Sequence, residues 1–466
     1  MTDRTVKIGA VGDGWRRELA ALAALAWPIA ATNLAQIAMS ATDVAMMGHL
    51  GPETMAAGAL GANLYFIALV LGIGLLNAVA PLAARALGRD ADAREDVART
   101  VRQGLWSSLA LAVPCWLVLW WSEPILLAMG QSRELSAQAG IYVRALQWAL
   151  LPFWCYLVLR SFISVLERPF WALIIGLLGV LANALGNWCL MLGRCGLEPM
   201  GIAGSGVATT LSSWLMLLAM ALVVQLDRRF SGFRVLANLG RADWARLAEL
   251  WRLGLPMAAM LLFEVTIFNA AVFLMGLIGT TALAAHTIAI NIASLTFMVP
   301  LGIGQAATVR VGLAYGRRDP DGIHRAGWSA FWLAIGFMAA MSLIMVLAPG
   351  LLISAFLDIH APSNAEVLRL AATYLLFAAL FQIADGAQAV GGGMLRGLHD
   401  ARVPMLYALG GYWGIGLPLG ALLAFGFGMG GTGIWIGLAT GIGVVAVLMI
   451  SRWQARERLG LLDQPG

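Results

Sequence analysis

A single ionisable residue, Glu264, lies in the apolar stretch GLPMAAMLLFEVTIFNAAVFLMG, residues 254–276. A helix of this length would span about 34 Å, which is enough to cross a hydrocarbon core of about 30 Å. A carboxylate at that depth is costly, and such acids commonly mark ion or proton pathways. A buried ion pair with a neighbouring base is the alternative. We interpret Glu264 as a cation or proton site in a transport pathway.

A second acid, Asp43, belongs to a polar stripe in another apolar stretch. Asn33, Gln36, Ser40 and Asp43 fall within an arc of about 80° on a helix. Because lipid would penalise such a stripe heavily, it is expected to face the protein interior. The stripe either binds a cation or only supplies hydrogen bonds between helices.

Two asparagines, Asn183 and Asn187, are four residues apart in a third apolar stretch and therefore share a helix face. Their amides can hold a neighbouring carboxylate or offer carbonyl oxygens to a hard cation. Structural hydrogen bonding between helices explains them equally well.

The third intramembrane acid is Asp385, in the sequence FQIADGAQAVGGGMLRG. Gln382, Asp385 and Gln388 lie within an arc of about 120° on a helix. The glycines at 386 and 391–393 weaken the helix and permit close backbone approach. Close packing would explain the glycines but not the acid, so the pattern favours ion binding.

No basic residue lies at a comparable depth, and Arg160, Arg310 and Arg396 fall near predicted span ends. The acids therefore have no obvious charged partners. Since burial penalises an uncompensated charge, each acid is expected to bind a proton or a metal cation. Glu264 and Asp385 are candidates for a transient Na⁺ site rather than a fixed metal site.

The composition places these residues in a polytopic membrane protein. The 466 residues are 60% hydrophobic and 12% charged, with a mean hydropathy of +0.81, whereas soluble domains carry about 25% charged residues. The net charge of +5 lies in loops, which indicates topology and lipid contact rather than nucleic-acid binding. The N-terminus is not typical of a signal peptide. The four cysteines have no metal-ligand spacing and are predicted to be small buried thiols: Cys115, Cys155, Cys189 and Cys195.

Twelve apolar spans are predicted, and the basic residues orient them. With twelve spans, one side carries both termini and 26 of the 30 Lys and Arg residues, and the opposite side carries four. The positive-inside rule then places both termini in the cytoplasm. The predicted spans are 19–47, 54–84, 104–121, 138–160, 170–193, 202–226, 253–278, 282–312, 327–348, 370–395, 404–426 and 432–451.

The chain contains an internal repeat. Residues 47–89 align without gaps onto residues 275–317 at an offset of 228, with 11 of 43 positions identical. Two halves in the same orientation imply a pseudo-twofold axis along the membrane normal. We therefore predict an all-α fold with a six-helix lobe at 1–226, a cytoplasmic linker at 227–252 and a second six-helix lobe at 253–466.

The sequence resembles the multidrug and toxic compound extrusion (MATE) family, in its NorM-like branch. Four segments carry the resemblance over essentially the whole chain. They are WPIAATNLAQIAMSATDVAMMGHLG, ANALGNWCLMLG followed by GIAGSGVAT, FEVTIFNAAVFLMGLIG, and QIADGAQAVGGGMLRGLHDARVP. The resemblance implies two six-helix lobes around a central cavity, and efflux of bulky, often cationic drugs driven by inward Na⁺ or H⁺.

The resemblance also implies roles for particular residues. Glu264 and Asp385 match the family's acids in the C-terminal lobe, and Asp43, Asn183 and Asn187 match the polar cluster of the N-terminal lobe. Some sodium-linked relatives have a tyrosine where this chain has Phe381. The loss of that hydroxyl slightly favours H⁺ over Na⁺. Candidates for the substrate cavity are Gln36, Ser40, Gln382, Gln388, His286 and Phe381.

These observations predict a secondary-active efflux antiporter for amphipathic, often cationic compounds, working by alternating access. It is expected to be a monomer in the bacterial inner membrane, to contact lipid, to need no cofactor and to bind no nucleic acid. A flippase for lipid-linked precursors is the alternative within transport, but it would need basic residues to bind phosphate. A membrane-embedded enzyme would need a nucleophile–base pair or metal ligands at depth, and the sequence contains no such set.

Overall fold

Twelve long apolar helices account for most of the chain, in a computed structural model that describes residues 5–90, 93–240 and 242–463. No β-strand occurs among these residues, which confirms the predicted all-α, twelve-span fold. We number the spanning helices in chain order: α1 Gly14–Gly48, α2 Pro52–Arg89, α3 Arg94–Trp120, α4 Arg133–Val165, α5 Phe170–Met191, α6 Ile202–Leu226, α7 Trp244–Ile278, α8 Thr280–Gly316, α9 Pro320–Leu347, α10 Pro362–Gly397, α11 Arg402–Gly426 and α12 Gly431–Gln454.

Several helices begin earlier than predicted, because charged residues continue the helix beyond its apolar part. Helix α3 begins at Arg94 rather than near 104, and α7 begins at Trp244 rather than near 253. The two added segments bind each other, since the Arg99 Nε donates to Asp243 at 2.9 Å and Arg246 Nη2 donates to Asp96 at 2.5 Å. The Arg99 hydrogen bond holds the pKa of Asp243 below its ordinary value. The end of the predicted linker is therefore fixed to α3 by ion pairs.

The chain divides into two compact units, and the division falls inside helices. One unit contains the chain up to Ala30 and from Ala259 onward, and the other contains Ala31–Ala258. The boundaries lie within α1 and α7, whereas the sequence placed the lobe boundaries in the loop at 227–252. The lobes at 1–226 and 253–466 remain a prediction.

A proline precedes each boundary at equivalent positions of the repeat. Pro28 lies inside the first helix and Pro256 inside α7, 228 residues apart. Proline removes one backbone hydrogen bond within a helix. In each half of the chain, the first helix therefore lacks one backbone hydrogen bond near its proline. The proline lies two residues before the last residue of the first unit that the helix belongs to.

The same offset relates two close helix crossings. A Cβ atom at Gly74 would lie 2.3 Å from the Ala258 Cα, and a Cβ at Gly302 would lie 2.8 Å from the Ala30 Cβ. Both partners in the second contact are displaced by 228 residues from those in the first. Only glycine permits backbones to approach so closely. The repeat thus extends from sequence to packing.

The structure corrects the prediction for two of the four cysteines. Cys189, at the end of α5, forms a disulfide with Cys195 in the following loop, with their Cα atoms 5.3 Å apart. Cys115 and Cys155 are free thiols, buried and half-buried respectively. The prediction of free thiols at these two positions was wrong because the loop between them turns at Gly193 and Gly196, which have φ of 68° and 77°.

Thiol counting tests this disulfide. We expect a maleimide reagent to label two cysteines in the denatured, unreduced protein and all four after reduction. A C189S/C195S variant, as the matched control, should show two labelled thiols under both conditions. Labelling of four thiols without reduction would contradict the disulfide.

Candidate cation sites

Asp43 is held in a buried polar cluster within the unit Ala31–Ala258. Helix α1 supplies Asp43, α5 supplies Asn183 and Asn187, and α6 supplies Thr209. We call these four residues the N-terminal cluster. Both asparagines are fully buried, and Asp43 and Thr209 are each 7% exposed. The predicted association of Asp43 with the two asparagines is therefore present in the structure.

Neutral donors satisfy both oxygens of the Asp43 carboxylate. The Asn187 amide donates to Oδ1 at 2.7 Å, and the Thr209 hydroxyl reaches Oδ2 at 3.0 Å. Asn183 completes the network, because its amide donates to the Thr209 Oγ1 at 3.0 Å and its carbonyl oxygen accepts from Asn187 at 3.1 Å. Among the described residues Asp43 has no ion pair. Its charge is therefore stabilised only by dipoles.

Thr209 was not singled out by the sequence analysis. It lies in the segment GIAGSGVAT, whose resemblance to the family was noted, but its hydroxyl also reaches the Ser205 carbonyl oxygen at 3.1 Å. Threonine side chains in helices commonly form this hydrogen bond to a carbonyl oxygen of the preceding turn. No pattern in the sequence distinguishes Thr209 from Ser212 or Ser213, whose hydroxyls bond only to such carbonyls.

The rest of the polar stripe on α1 is less uniformly buried. Asn33 is buried and accepts a hydrogen bond from the buried Arg160 at 3.3 Å. Gln36 is half-buried, and its amide nitrogen has no partner in the part of the chain that the structure describes, whereas Ser40 is exposed. Arg160, predicted to lie near a span end, therefore contacts the stripe at Asn33, ten residues before Asp43.

A second polar group lies in the unit that contains Ala259 onward. Helix α7 supplies Glu264, α10 supplies Asp385 and Gln388, and α11 supplies Tyr412. We call these four residues the C-terminal cluster. The Gln388 amide nitrogen lies 3.5 Å from the Glu264 Oε2, and Asp385 is one turn before Gln388 and close enough to Glu264 for their charges to interact. The predicted pair of acids is thus brought together.

Two oxygens of the C-terminal cluster are buried without a hydrogen-bond partner among the described residues. They are the Asp385 Oδ1 and the Gln388 Oε1. Their side chains are at most 4% exposed. Buried polar groups are nearly always bonded, so each exception requires an explanation. The cluster presents oxygen atoms that the protein itself does not satisfy.

No basic side chain forms an ion pair with Glu264 or Asp385 in the described part of the chain. Arg396 lies on α10, three turns beyond Asp385, and influences Glu264 electrostatically without contacting it. Asp385 is buried and Glu264 is half-buried, and burial together with mutual repulsion disfavours two such negative charges in one site unless a cation is present. The arrangement can therefore hold a proton or a metal cation.

The remaining candidates lie outside this cluster. The Gln382 amide donates to the Thr296 hydroxyl at 2.5 Å and to the Ala293 carbonyl oxygen at 3.2 Å. Phe381 and His286 are buried against Trp435, with ring centroids 5.9 Å and 5.4 Å from it. Both ring nitrogens of His286 are unpartnered among the described residues. The sequence analysis did not identify Trp435, which joins these rings.

The fold defines a multispan membrane protein that buries a carboxylate, Asp43 or Asp385, in each half of the chain. The family model MatE matches residues 28–189 and 256–422. The two matches begin 228 residues apart, the offset of the internal repeat. The chain therefore belongs to the MatE family, as its resemblance indicated, and transporters of this family need no cofactor.

Curated relatives match the chain over nearly its full length. A probable multidrug resistance protein NorM of Mesorhizobium japonicum is 60% identical over 445 residues, which is 96% of this chain and 95% of the relative. A probable multidrug resistance protein NorM of Brucella suis is 53% identical, covering 94% and 93%. The multidrug resistance protein NorM of Burkholderia vietnamiensis is 42% identical, covering 93% of each.

Solved structures show the same fold at low sequence identity. The eukaryotic MATE transporter AtDTX14 superimposes with a TM-score of 0.82 at 23% identity, covering 96% of this chain and 100% of that one. A multidrug resistance MATE family transporter in an outward-facing conformation gives 0.84 at 20% identity, covering 96% and 97%.

Neighbouring threonines on α6 test the hydrogen bonding of the N-terminal cluster. We expect T209V to lower the free energy of unfolding by about 1.5 kcal/mol, since it removes a donor to a buried carboxylate. The matched variant T210V loses only a bond to the Ala145 carbonyl oxygen and should cost about 0.6 kcal/mol. Thermal denaturation of the purified variants in detergent provides the comparison. Equal losses would show that Thr209 gives Asp43 no special support.

Proposed function

We propose that this protein is a secondary-active multidrug antiporter that exports amphipathic, often cationic compounds in exchange for H⁺ or Na⁺. The observation that carries the proposal is the pair of buried carboxylate clusters, one in each half of the chain. Neither cluster contains an ion pair among the described residues. A carboxylate kept without a basic partner at this depth is best explained by a mobile cation that visits it.

Binding of the coupling cation would neutralise a cluster, and its release would restore a costly buried charge. The two states of the site therefore differ in electrostatic free energy. A cation can shift the balance between outward- and inward-facing states only by its differential affinity for them. Alternating access follows if substrate binding favours release of the cation and cation binding favours release of the substrate.

The substrate class rests on the relatives and on the sign of the buried charges. The curated relatives are described as multidrug resistance proteins. Acids rather than bases occupy the two clusters, which suits cationic compounds. A flippase would need basic groups to meet phosphate. Arg160 is a buried base, but its contact is the Asn33 side chain within the polar stripe.

We place the protein in the bacterial inner membrane with both termini in the cytoplasm. The distribution of Lys and Arg supports this orientation. Large apolar side chains such as Leu226, Leu347 and Phe273 are more than two-thirds exposed, which suits contact with lipid. We propose a monomer.

Neutral replacements of the acids test the proposal. We expect E264Q and D385N to abolish drug resistance in a pump-deficient host, because the cluster could no longer exchange a cation. E366Q is the matched control, since Glu366 is exposed in the first turn of the helix that carries Asp385. Membrane levels of all three variants are measured by immunoblot. Wild-type resistance in both E264Q and D385N would contradict the proposal that these acids exchange the coupling cation.

Separate collapse of the two ion gradients tests the coupling. In inside-out vesicles that accumulate the fluorescent cation ethidium, we expect uptake to stop when the gradient of the coupling ion is dissipated. One set of vesicles loses only ΔpH and another loses only the Na⁺ gradient. A third set loses both gradients, and ethidium uptake that survives there would exclude an antiporter driven by either ion.

A further inference from the structure

We propose that a groove in the connection between α6 and α7 binds the headgroup and part of an acyl chain of one anionic phospholipid. The groove is lined by residues 224, 225, 231 and 234–237 and has a volume of about 320 Å³. We call it the linker groove, and it contains no residue of either acid cluster. It begins in the last turn of α6, where the apolar span gives way to charged residues at the level expected for lipid headgroups.

The inner part of the linker groove is apolar and its rim is polar. Val224 and Val235 line it and are only 2% and 1% exposed. Leu236 is half-buried beside them, and Arg234 is exposed. Such a lining suits a ligand that has one apolar end and one charged end.

Large exposed apolar side chains flank the groove along the chain. Leu226 at the end of α6 is 76% exposed, and Trp244 at the start of α7 is 74% exposed. Leu239, between them, is 41% exposed. Tryptophan is enriched where a membrane meets water. Apolar side chains exposed in this way beside basic residues favour a lipid over a nucleic acid or an acidic protein.

Four exposed arginines near the groove form no ion pair in the part of the chain that the structure describes. One of them comes from α3, and its Nη1 would lie 3.3 Å from a Cβ atom at Gly232, the residue after Ser231 of the groove. The other three belong to the connection itself. The four are Arg94, Arg228, Arg229 and Arg234.

The acids of this region leave that positive charge largely uncompensated. Glu95, Asp96 and Asp243 are each bonded to a different arginine of α3 or α7. Asp227 remains, and its carboxylate accepts from the backbone N–H of Arg229 at 3.0 Å. Four arginines beside one remaining acid give the rim a surplus of positive charge.

The connection is fixed in place, so the groove exists before a ligand arrives. The Trp106 indole of α3 donates to the Leu239 carbonyl oxygen at 2.8 Å, and the Arg102 guanidinium donates to the Ala237 carbonyl oxygen at 3.1 Å. Phe230 is buried at 1% exposure. A preformed site avoids the entropy cost of ordering a loop on binding.

The chemistry of the rim selects an anionic headgroup. Arginine guanidinium groups form paired hydrogen bonds with phosphate oxygens, and basic residues next to a spanning helix attract anionic lipids. A zwitterionic headgroup also carries a cation, which the same arginines repel. Phosphatidylglycerol should therefore bind more tightly than phosphatidylcholine.

Neutral replacement of two rim arginines tests the charge. Delipidated protein in an uncharged detergent is titrated with phosphatidylglycerol, and bound lipid is counted by native mass spectrometry. We expect R228Q/R229Q to bind about thirtyfold more weakly than wild type, as the loss of two basic residues at an anionic headgroup predicts. R317Q/R318Q removes the same charge from another exposed pair and should bind like wild type.

Filling the groove tests the apolar part without changing the charge. We expect A237W to weaken binding of phosphatidylglycerol, because the indole would occupy space that the acyl chain uses. A245W is the matched control, since Ala245 is exposed on α7 and does not line the groove. If R228Q/R229Q does not fold, R234Q removes one rim charge and should weaken binding about fivefold.

Three results would overturn the lipid site. The first is equal affinity of wild type for phosphatidylglycerol and phosphatidylcholine. The second is an equal loss of binding in R228Q/R229Q and R317Q/R318Q, which would indicate a general effect of net charge. The third is displacement of phosphatidylglycerol by inorganic phosphate together with wild-type binding in A237W, which would indicate a site for free phosphate.

Discussion

The rest of this structure depends on the need to stabilise carboxylates with neutral dipoles. These acids lie in a chain that is otherwise suited to hydrocarbon. Asp43 is bonded by an amide and a hydroxyl, and Glu264 is approached by the Gln388 amide. An arginine at the same place would neutralise the acid permanently, and burying such a pair is itself costly. Dipoles lower the cost of the charge but leave it available to a mobile cation.

Both halves of the internal repeat contain such acids, but the acids do not occupy equivalent positions. Pro28 and Pro256, and the crossings at Gly74 and Gly302, occupy equivalent positions. The acids do not, because Glu264 corresponds to Gln36, two helical turns before Asp43. The two halves therefore share their helix geometry, but the carboxylate lies at a different position along the first helix of each half. The two clusters are therefore chemically distinct: the N-terminal cluster surrounds one acid with two amides and a hydroxyl, whereas the C-terminal cluster combines two acids with an amide and a phenol.

The sequence predicts the features that follow from hydrophobic periodicity, such as the spanning helices. It does not predict contacts that depend on an irregular backbone. Long apolar stretches predicted all twelve helices, and the spacing of Asn183 and Asn187 predicted that they face one partner. Tyr412 could not be found in this way. It lies in the π-helical segment Leu409–Gly416, and a π-helix changes which residues share a face. The disulfide of Cys189 with Cys195 was missed for a related reason, since positive-φ glycines fold the loop back. Thr209 was missed for a different reason, because its position in a regular helix does not distinguish it from the neighbouring serines.

Helices α1 and α7 connect the clusters to the division of the chain. Each begins in one compact unit and ends in the other, crossing between Ala30 and Ala31 or between Ala258 and Ala259. Asp43 and Glu264 lie on these helices beyond the crossing points. Each acid therefore lies on a helix whose residues are divided between the two compact units. A boundary inside a continuous helix, rather than in a loop, explains why the composition of the linker at 227–252 did not reveal it.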